Sequence, residues 1–387
     1  MDAGERPLRI TIVTGPWFPP PPGPAGAVER VWGDLAHRFA RRGHRVTVLC
    51  RSWDKASVDE ERDGVLYRRR TSLNQSANVY WDIAKDLWYS IRMFLLLRPA
   101  DILVTNAFWL PILARWFRRS AGRVTMNVQR VPKGQFWLYS RVDRLSTVST
   151  AIRDAIVRER PSLGPLVRVI PNPIAIDVFR PPTPERDFER REGRRIVFTG
   201  RIHPEKGLHV LVEAFRTLRA ERPDLALRLI GPSRIDRGGG GPEYVDRLRR
   251  LAGDAPLTID EPIYDREALA RALWESTCYC YPSLAEQGEA PPVAPMEAMA
   301  TALPIVVSDI PQFRDYMTPG VEGEVFDHRS ADNVASLARA LASIIDHPDR
   351  ARAMGRAARV SAERFGYEQV ATMYLDDFRS LLGGTHG

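Results

Sequence analysis

The sequence predicts an α/β protein built from two doubly wound domains. Three observations carry this. Strand-like and helix-like segments alternate in two successive series, a proline-rich stretch separates the series, and 387 residues exceed what one typical core fills. Hydrophobic content of 44% and charged content of 27% are ordinary for a soluble globular chain. No apolar run approaches the roughly 18 residues of a membrane span, and the first residues lack the apolar core of a signal peptide. A cytoplasmic protein is expected.

Residues 8–14 read as a buried first strand that ends in Gly15-Pro16-Trp17-Phe18 and a proline-rich loop. Over Ala27–Arg41 the apolar residues Val28, Val31, Trp32, Leu35, Ala36 and Phe39 recur at helical spacing on one face. Gly43-His44-Arg45 stops that helix, and residues 46–50 form the next strand. Strand, loop, helix, strand is a right-handed parallel unit. Further strands are expected at Ile102–Thr105, 124–128 and 145–149. From 169 to 195 prolines accumulate (Ile170-Pro171-Asn172-Pro173, then Arg180-Pro181-Pro182-Thr183-Pro184), which reads as a stiff linker. The second series places strands at 195–199, 226–230, 257–259, 277–281, 305–307 and Gly323–Phe326, with helices between. The glycine run 238–241 reads as a surface loop, and 362–382 as a closing amphipathic helix. Domains are expected at 1–180 and 181–365, with 366–387 as the closing helix.

Charge is divided unequally. Residues 1–180 hold 29 basic and 16 acidic side chains, a balance of +13, whereas the remainder balances at −5. A basic first half suits an anionic partner, although arginine-rich helices are also solvated in this way. No recognisable nucleic-acid module is present, so nucleic acid is not expected as a partner. Cys50, Cys278 and Cys280 are too few and too apolar in context for zinc, and read as buried thiols.

The most informative stretch is Tyr281-Pro282-Ser283-Leu284-Ala285-Glu286-Gln287-Gly288-Glu289-Ala290-Pro291-Pro292-Val293-Ala294-Pro295-Met296-Glu297-Ala298-Met299-Ala300. A strand runs through a loop into a helix, with Glu289 and Glu297 bracketing the helix start. Carboxylates accept hydrogen bonds from sugar or ribose hydroxyls, and a helix N-terminus attracts phosphate. Two glutamates at this spacing are common on ordinary helices. The flanking Pro-Ser, Glu-Ala-Met-Ala and Leu303-Pro304-Ile305-Val306-Val307-Ser308-Asp309 add the specificity. Upstream, Gly200-Arg201-Ile202-His203-Pro204-Glu205-Lys206-Gly207 follows a strand and opens a helix, where Arg201 and Lys206 can clamp a diphosphate.

With these motifs the chain resembles family 4 of the glycosyltransferases, retaining enzymes that use nucleotide sugars. The resemblance covers almost the whole length and is strongest from Arg195 to Tyr316. It implies the GT-B fold: two Rossmann-like doubly wound domains facing a central cleft, the first for the acceptor and the second for the donor. The closing helix would return to the first domain. It also implies that Arg201 and Lys206 neutralise the leaving diphosphate, Glu289 lies at the transferred sugar, and Glu297 holds ribose hydroxyls. The spacing of Glu286 to Glu297 does not match. Ala290, Val293 and Ala294 remain as amide donors, because Pro291 and Pro292 replace part of the family's glycine-rich run and have no N–H. Ile263 is a further donor-site candidate.

Gly26, before Ala27-Val28-Glu29-Arg30, matches the last glycine of the family's Gly-Gly-x-x-Glu, with Ala25 in place of the first. As a donor-site candidate Gly26, with no side chain, lets its backbone amide approach a phosphate, and it could equally serve an ordinary turn. Ala302 stands where relatives end a helix on glycine, and a left-handed cap there would cost about 1 kcal/mol. No histidine occurs between His44 and His203. Gln129 takes the position of the family's histidine, where it can hydrogen-bond a sugar but not exchange a proton.

Asn106, Arg130 and Lys133 are acceptor-side candidates. Trp81, Trp88, Trp109, Trp116 and Trp137, with Arg115, Arg118 and Arg119, form either an interfacial patch or core tryptophans at helical spacing. The expected partners are a nucleotide-sugar donor and an anionic or lipid-linked acceptor, with peripheral contact at the inner face of the membrane. No cofactor or metal is expected, since no Asp-x-Asp motif occurs. Two rivals stay open: a non-catalytic nucleotide-sugar-binding protein of the same fold, or a nucleotide-sugar epimerase or phosphorylase.

Overall fold

The computed structural model of the protein describes residues 6–21, 26–53, 57–76, 78–181, 194–286 and 292–383. The chain divides into two compact units. Unit 1 joins Met1–Asn172 to Tyr367–Gly387, and unit 2 is Pro173–Gly366. The division falls before the expected 180/181 boundary, because Ile174 and Phe179 are buried in the core of unit 2.

Unit 1 runs β1 (Arg9–Val13), α1 (Ala27–Arg41), β2 (Arg45–Arg51), β3 (Asp59–Arg62), β4 (Val65–Arg70), α2 (Val79–Leu96), β5 (Ile102–Thr105), α3 (Leu110–Phe117), β6 (Arg123–Val128), β7 (Arg144–Thr147), α4 (Thr150–Glu159) and β8 (Val167–Val169). Its sheet has the order β3-β4-β2-β1-β5-β6-β7-β8, parallel except for β3 against β4. The interior strands β5 and β7 are buried throughout, as strands covered on both faces must be. The order reverses at β1, between β2 and β5, and such a switch point opens a crevice at the carboxyl ends of the strands.

The helix α2 carries its polarity the unusual way round. Its carboxylates Asp82 and Asp86 are buried. Asp82 accepts from the backbone N–H and hydroxyl of Ser76, at 2.9 and 2.7 Å. Asp86 accepts from the N–H groups of Phe108 and Trp109 ahead of α3, at 3.1 Å each, and from the Ser90 hydroxyl.

Unit 2 runs β9 (Arg194–Thr199), α5 (Leu208–Arg219), β10 (Leu225–Ile230), α6 (Gly241–Ala252), β11 (Leu257–Asp260), α7 (Arg266–Trp274), β12 (Cys278–Tyr281), α8 (Val293–Ala300), β13 (Ile305–Ser308), β14 (Gly323–Phe326), α9 (Asn333–Ile345) and α10 (Pro348–Glu363). Its strands are all parallel, in the order β11-β10-β9-β12-β13-β14, so the switch point lies between β9 and β12. Cys278 and Cys280 are buried thiols in its core, and Cys50 is likewise buried in unit 1.

The closing segment corrects the expectation of one helix over 362–382. There are two: α10 ends at Glu363, and α11 (Tyr367–Gly383) begins after a break. The break is held by a backbone bond, since Ile174 donates its N–H to the Phe365 carbonyl at 2.8 Å, and Gly366 is a weak helix former. Within unit 1, Tyr374 and Phe378 of α11 pack on Trp32 and Phe39 of α1. Asp377 meets Arg144 in a buried pair at 3.0 Å. The segment 169–195 is also more than a linker, because Ile170 and Ile174 are core residues; its residues 182–193 lie outside the described residues.

Candidate active site

In unit 2 the chain turns sharply where β9 ends. Gly200 and Gly231 adopt φ of 148° and 155°, and a Cβ on Gly231 would lie 1.8 Å from the Gly200 carbonyl oxygen. Only a side-chain-free pair lets the loops after β9 and β10 meet so closely. Arg201 follows on this loop, partly exposed. Its guanidinium donates to the Gly238 carbonyl at 2.9 Å and pairs with Glu205. The glycine run 238–241 is therefore not a plain surface loop: Gly239 and Gly241 are buried, and the run walls one side of Arg201.

Lys206 lies one short turn later. His203 accepts from the Glu205 N–H through Nδ1, Pro204 starts the turn, and left-handed Gly207 ends it against the Pro282 carbonyl. Lys206 is only 6% exposed; its Nζ lies 5.3 Å from the centre of the Tyr281 ring and 3.9 Å from Glu205. Tyr281 stacks on Phe198 of β9, and Leu284 donates its N–H to the Glu205 carbonyl at 2.8 Å. The cation-bearing loop and the segment after β12 are thus one packed unit at the switch point.

The helix α8 starts at this same edge of the sheet. Val293 and Ala294 supply first-turn amides, both half-buried, while Pro295 in that turn has no N–H to offer. Glu297 is half-buried one turn on, near enough to Tyr279 that its charge adds to the rise that burial imposes on the tyrosine hydroxyl. Ile263 follows β11, half-buried against the core. Glu289 and Ala290, with Gln287, Gly288 and Pro291, lie outside the described residues. Glu286 bonds to Arg329 at 2.6 Å and to His328 at 3.1 Å. Ala302 has φ of 56°, so this helix ends in the left-handed region on an alanine.

In unit 1 a ladder of amides crosses the switch point. The Asn106 side chain donates to the Val13 carbonyl at 3.2 Å and accepts from Asn127 at 2.7 Å. Gln129 donates to Asn127 at 3.4 Å and exchanges two bonds of 3.2 Å with Asn172. The amide of Gln129 is thereby anchored within unit 1. Gly26 begins α1 with no room for a side chain, since a Cβ would lie 2.4 Å from a Glu29 carboxylate oxygen and 3.0 Å from Phe18. Ala25 lies outside the described residues, and Arg130 and Lys133 are exposed.

Glu29 is the residue that sequence reasoning passed over. It is 6% exposed, and burial pushes its carboxyl up to about 7. Its place in Gly26-Ala27-Val28-Glu29 was the available signal, because an acidic residue in a first helical turn usually reads as a dipole complement on the surface. Trp109 takes the core alternative. It is partly buried and donates through Nε1 to the Ile83 carbonyl at 3.1 Å, so it ties α2 to the start of α3. Arg115 and Arg118 also donate inward, to the carbonyls of Arg141 and Leu97, at 2.7 Å each.

Two family models match in tandem. One, described as Glycosyltransferase Family 4, covers residues 28–178, and the other, Glycosyl transferases group 1, covers residues 182–361. The chain belongs to glycosyltransferase family 4. The enzyme is 26% identical to a D-inositol 3-phosphate glycosyltransferase of Thermobispora bispora, across 99% of this chain and 96% of that one. It is 31% identical to a phosphatidyl-myo-inositol mannosyltransferase of Mycolicibacterium smegmatis over 57% of this chain and 54% of that one. Among solved structures it resembles a sucrose-phosphate synthase of Thermosynechococcus elongatus (TM-score 0.74, 19% identity, 98% of this chain and all of that one). It also resembles Anabaena HepE in complex with UDP and glucose (TM-score 0.70, 15% identity, 96% of this chain and all of that one). The fold of this glycosyltransferase is GT-B.

Proposed function

We propose that the glycosyltransferase moves a hexose-type unit from a nucleoside diphosphate sugar to an anionic, lipid-linked acceptor. Transfer would proceed with retention, give an α-linked product and need no metal. The observation that carries this reading is the placement of Arg201 and Lys206 on a glycine-built loop at the switch point of unit 2. As the sugar C1–O bond to the diphosphate breaks, negative charge grows on the leaving phosphate, and two fixed cations stabilise it. That supply of positive charge is the support for metal independence.

For retention, the acceptor oxygen bonds to C1 on the face the diphosphate leaves, and its proton passes to a phosphate oxygen. No side chain need act as base, which suits a Gln129 anchored by Asn127 and Asn172. Glu297 holds ribose hydroxyls, Val293 and Ala294 offer amides to phosphate, Ile263 belongs to the donor site, and Glu289 and Ala290 serve the sugar. Gly26 is a donor-phosphate candidate through its backbone amide, and Asn106, Arg130 and Lys133 serve the acceptor end in unit 1.

The acceptor class draws support from the basic balance of residues 1–180 and from the phosphorylated inositols in the relatives' names. Such an acceptor places the enzyme peripherally on the inner face of the membrane. No helix among the described residues is long and apolar enough to cross one.

Calorimetric titration with UDP, GDP and ADP tests the donor site. Arg201→Ala and Lys206→Ala should each weaken whichever nucleotide binds by about 10–100-fold, the worth of one charge-assisted contact. Unchanged affinity in both variants would move the donor site elsewhere.

A further inference from the structure

We infer that the outward face of α2 is a membrane-docking surface, seated on the headgroup layer of an anionic phospholipid bilayer. With Asp82, Asp86 and Ser90 turned inward beside Tyr89 and Met93, the exposed side chains include Tyr80, Trp81, Trp88, Ile91 and Leu95. Trp81 is 66% exposed and Leu95 67%. At 100° per residue these five side chains fall in a single stripe along the length of the helix. A surface helix ordinarily turns such a stripe to the core, so this one is built for an apolar partner outside the protein.

The chemistry around the stripe selects the partner. Both carboxylates of α2 are buried, so the exposed face carries no negative charge of its own. Lys85, which also reaches the Asp82 carboxylate at 3.5 Å, and Arg92 border the stripe on one side, and exposed Arg98 follows its end. The Arg92 guanidinium lies 4.5 Å from the centre of the Trp88 ring, a cation resting on an aromatic plane. Tryptophan and tyrosine favour the boundary between acyl chains and headgroups, while lysine and arginine reach anionic phosphate above it. A protein partner of matching shape would be expected to meet some carboxylates here. An anionic leaflet needs none.

This inference deepens the reading of a lipid-linked acceptor and rests on it, so the test must separate the two. Full-length protein is sedimented with vesicles of phosphatidylcholine alone or mixed with phosphatidylglycerol, at low and high salt. Hydrolysis of nucleotide sugars is measured in solution without vesicles. Wild type should bind mixed vesicles in a salt-sensitive way. A Trp81→Ser/Trp88→Ser/Leu95→Ser variant should lose about a hundredfold or more in partitioning, yet hydrolyse donor at the wild-type rate. A Lys85→Gln/Arg92→Gln variant should bind mixed vesicles about tenfold more weakly. Tryptophan emission of the wild type should shift to the blue on binding.

Vesicle binding that survives the triple substitution overturns the inference, whatever the enzyme does to donor. So does self-association of the wild type that the triple variant abolishes, because the stripe would then be covered by a second copy. Loss of all donor hydrolysis alongside intact, α2-dependent binding would instead sink the proposed function and leave the docking surface standing.

Discussion

Glu29 offers a measurement in which the structure sets both sign and size. The carboxyl is buried at the start of α1, where loss of water raises it from an ordinary 4.5 to about 7. A tenfold change in protonation is worth about 1.4 kcal/mol, so the ionised form costs the folded state about 3 kcal/mol. The direction follows from linkage. Below about pH 4.5 the group is neutral in folded and unfolded chains alike, and nothing is lost. As pH rises toward and through 7, the unfolded chain releases its proton freely while the folded chain holds on, so stability falls.

Glu29→Gln keeps the shape and has no charge at any pH. Its stability relative to wild type should improve by about 2.5 kcal/mol between about pH 5 and pH 8. Urea unfolding followed by tryptophan fluorescence reads the right unit, because eight of the nine tryptophans belong to unit 1. Curves for the two proteins that stay parallel from pH 5 to pH 8 would show that Glu29 ionises as an ordinary surface glutamate, and the argument from burial would fail.

Other outcomes follow from the donor unit. Gly231→Ala drives a methyl into the Gly200 carbonyl and should cost about 2–4 kcal/mol with loss of nucleotide binding, seen as a lowered melting temperature that UDP no longer raises. Glu297→Gln should weaken bare nucleotide, whereas Glu289→Gln should mainly lower turnover; equal loss of nucleotide in both, with normal donor hydrolysis, would refute that division. EDTA should leave transfer unchanged in an assay with labelled donor, and activity restored only by added Mg2+ would refute the two-cation reading.

Much of this was legible because apolar spacing and loop chemistry are local. The helix Ala27–Arg41 is where its stripe placed it, and the Arg201–Gly207 loop is readable from residue types alone. The hairpin of β3 and β4 escaped because Asp59-Glu60-Glu61-Arg62 is a charged edge strand with no buried face to alternate. Its turn was the available sign: Asp63 and Gly64 both take positive φ, the preference of a two-residue hairpin turn. The glycine run 238–241 was misread because composition reveals flexibility, not what a missing side chain makes room for. The inversion of α2 was hidden for a related reason. An amphipathic pattern shows that a helix has two faces, and only the partners of Asp82 and Asp86 show which one is inside.

The closing helix has a consequence for how the enzyme is made. Residues of α11 complete unit 1, yet unit 2 is translated in full before any of them leaves the ribosome. At about 5–20 residues per second the interval is roughly 10–40 s. During it Arg144 lacks the Asp377 carboxylate, and the faces of Trp32 and Phe39 that Tyr374 and Phe378 will cover stay wet. Unit 2, contiguous in sequence, can finish folding first. The first domain to be synthesised is therefore the last to be sealed, and a nascent chain arrested before Tyr367 should present to chaperones an apolar surface that the finished enzyme never exposes.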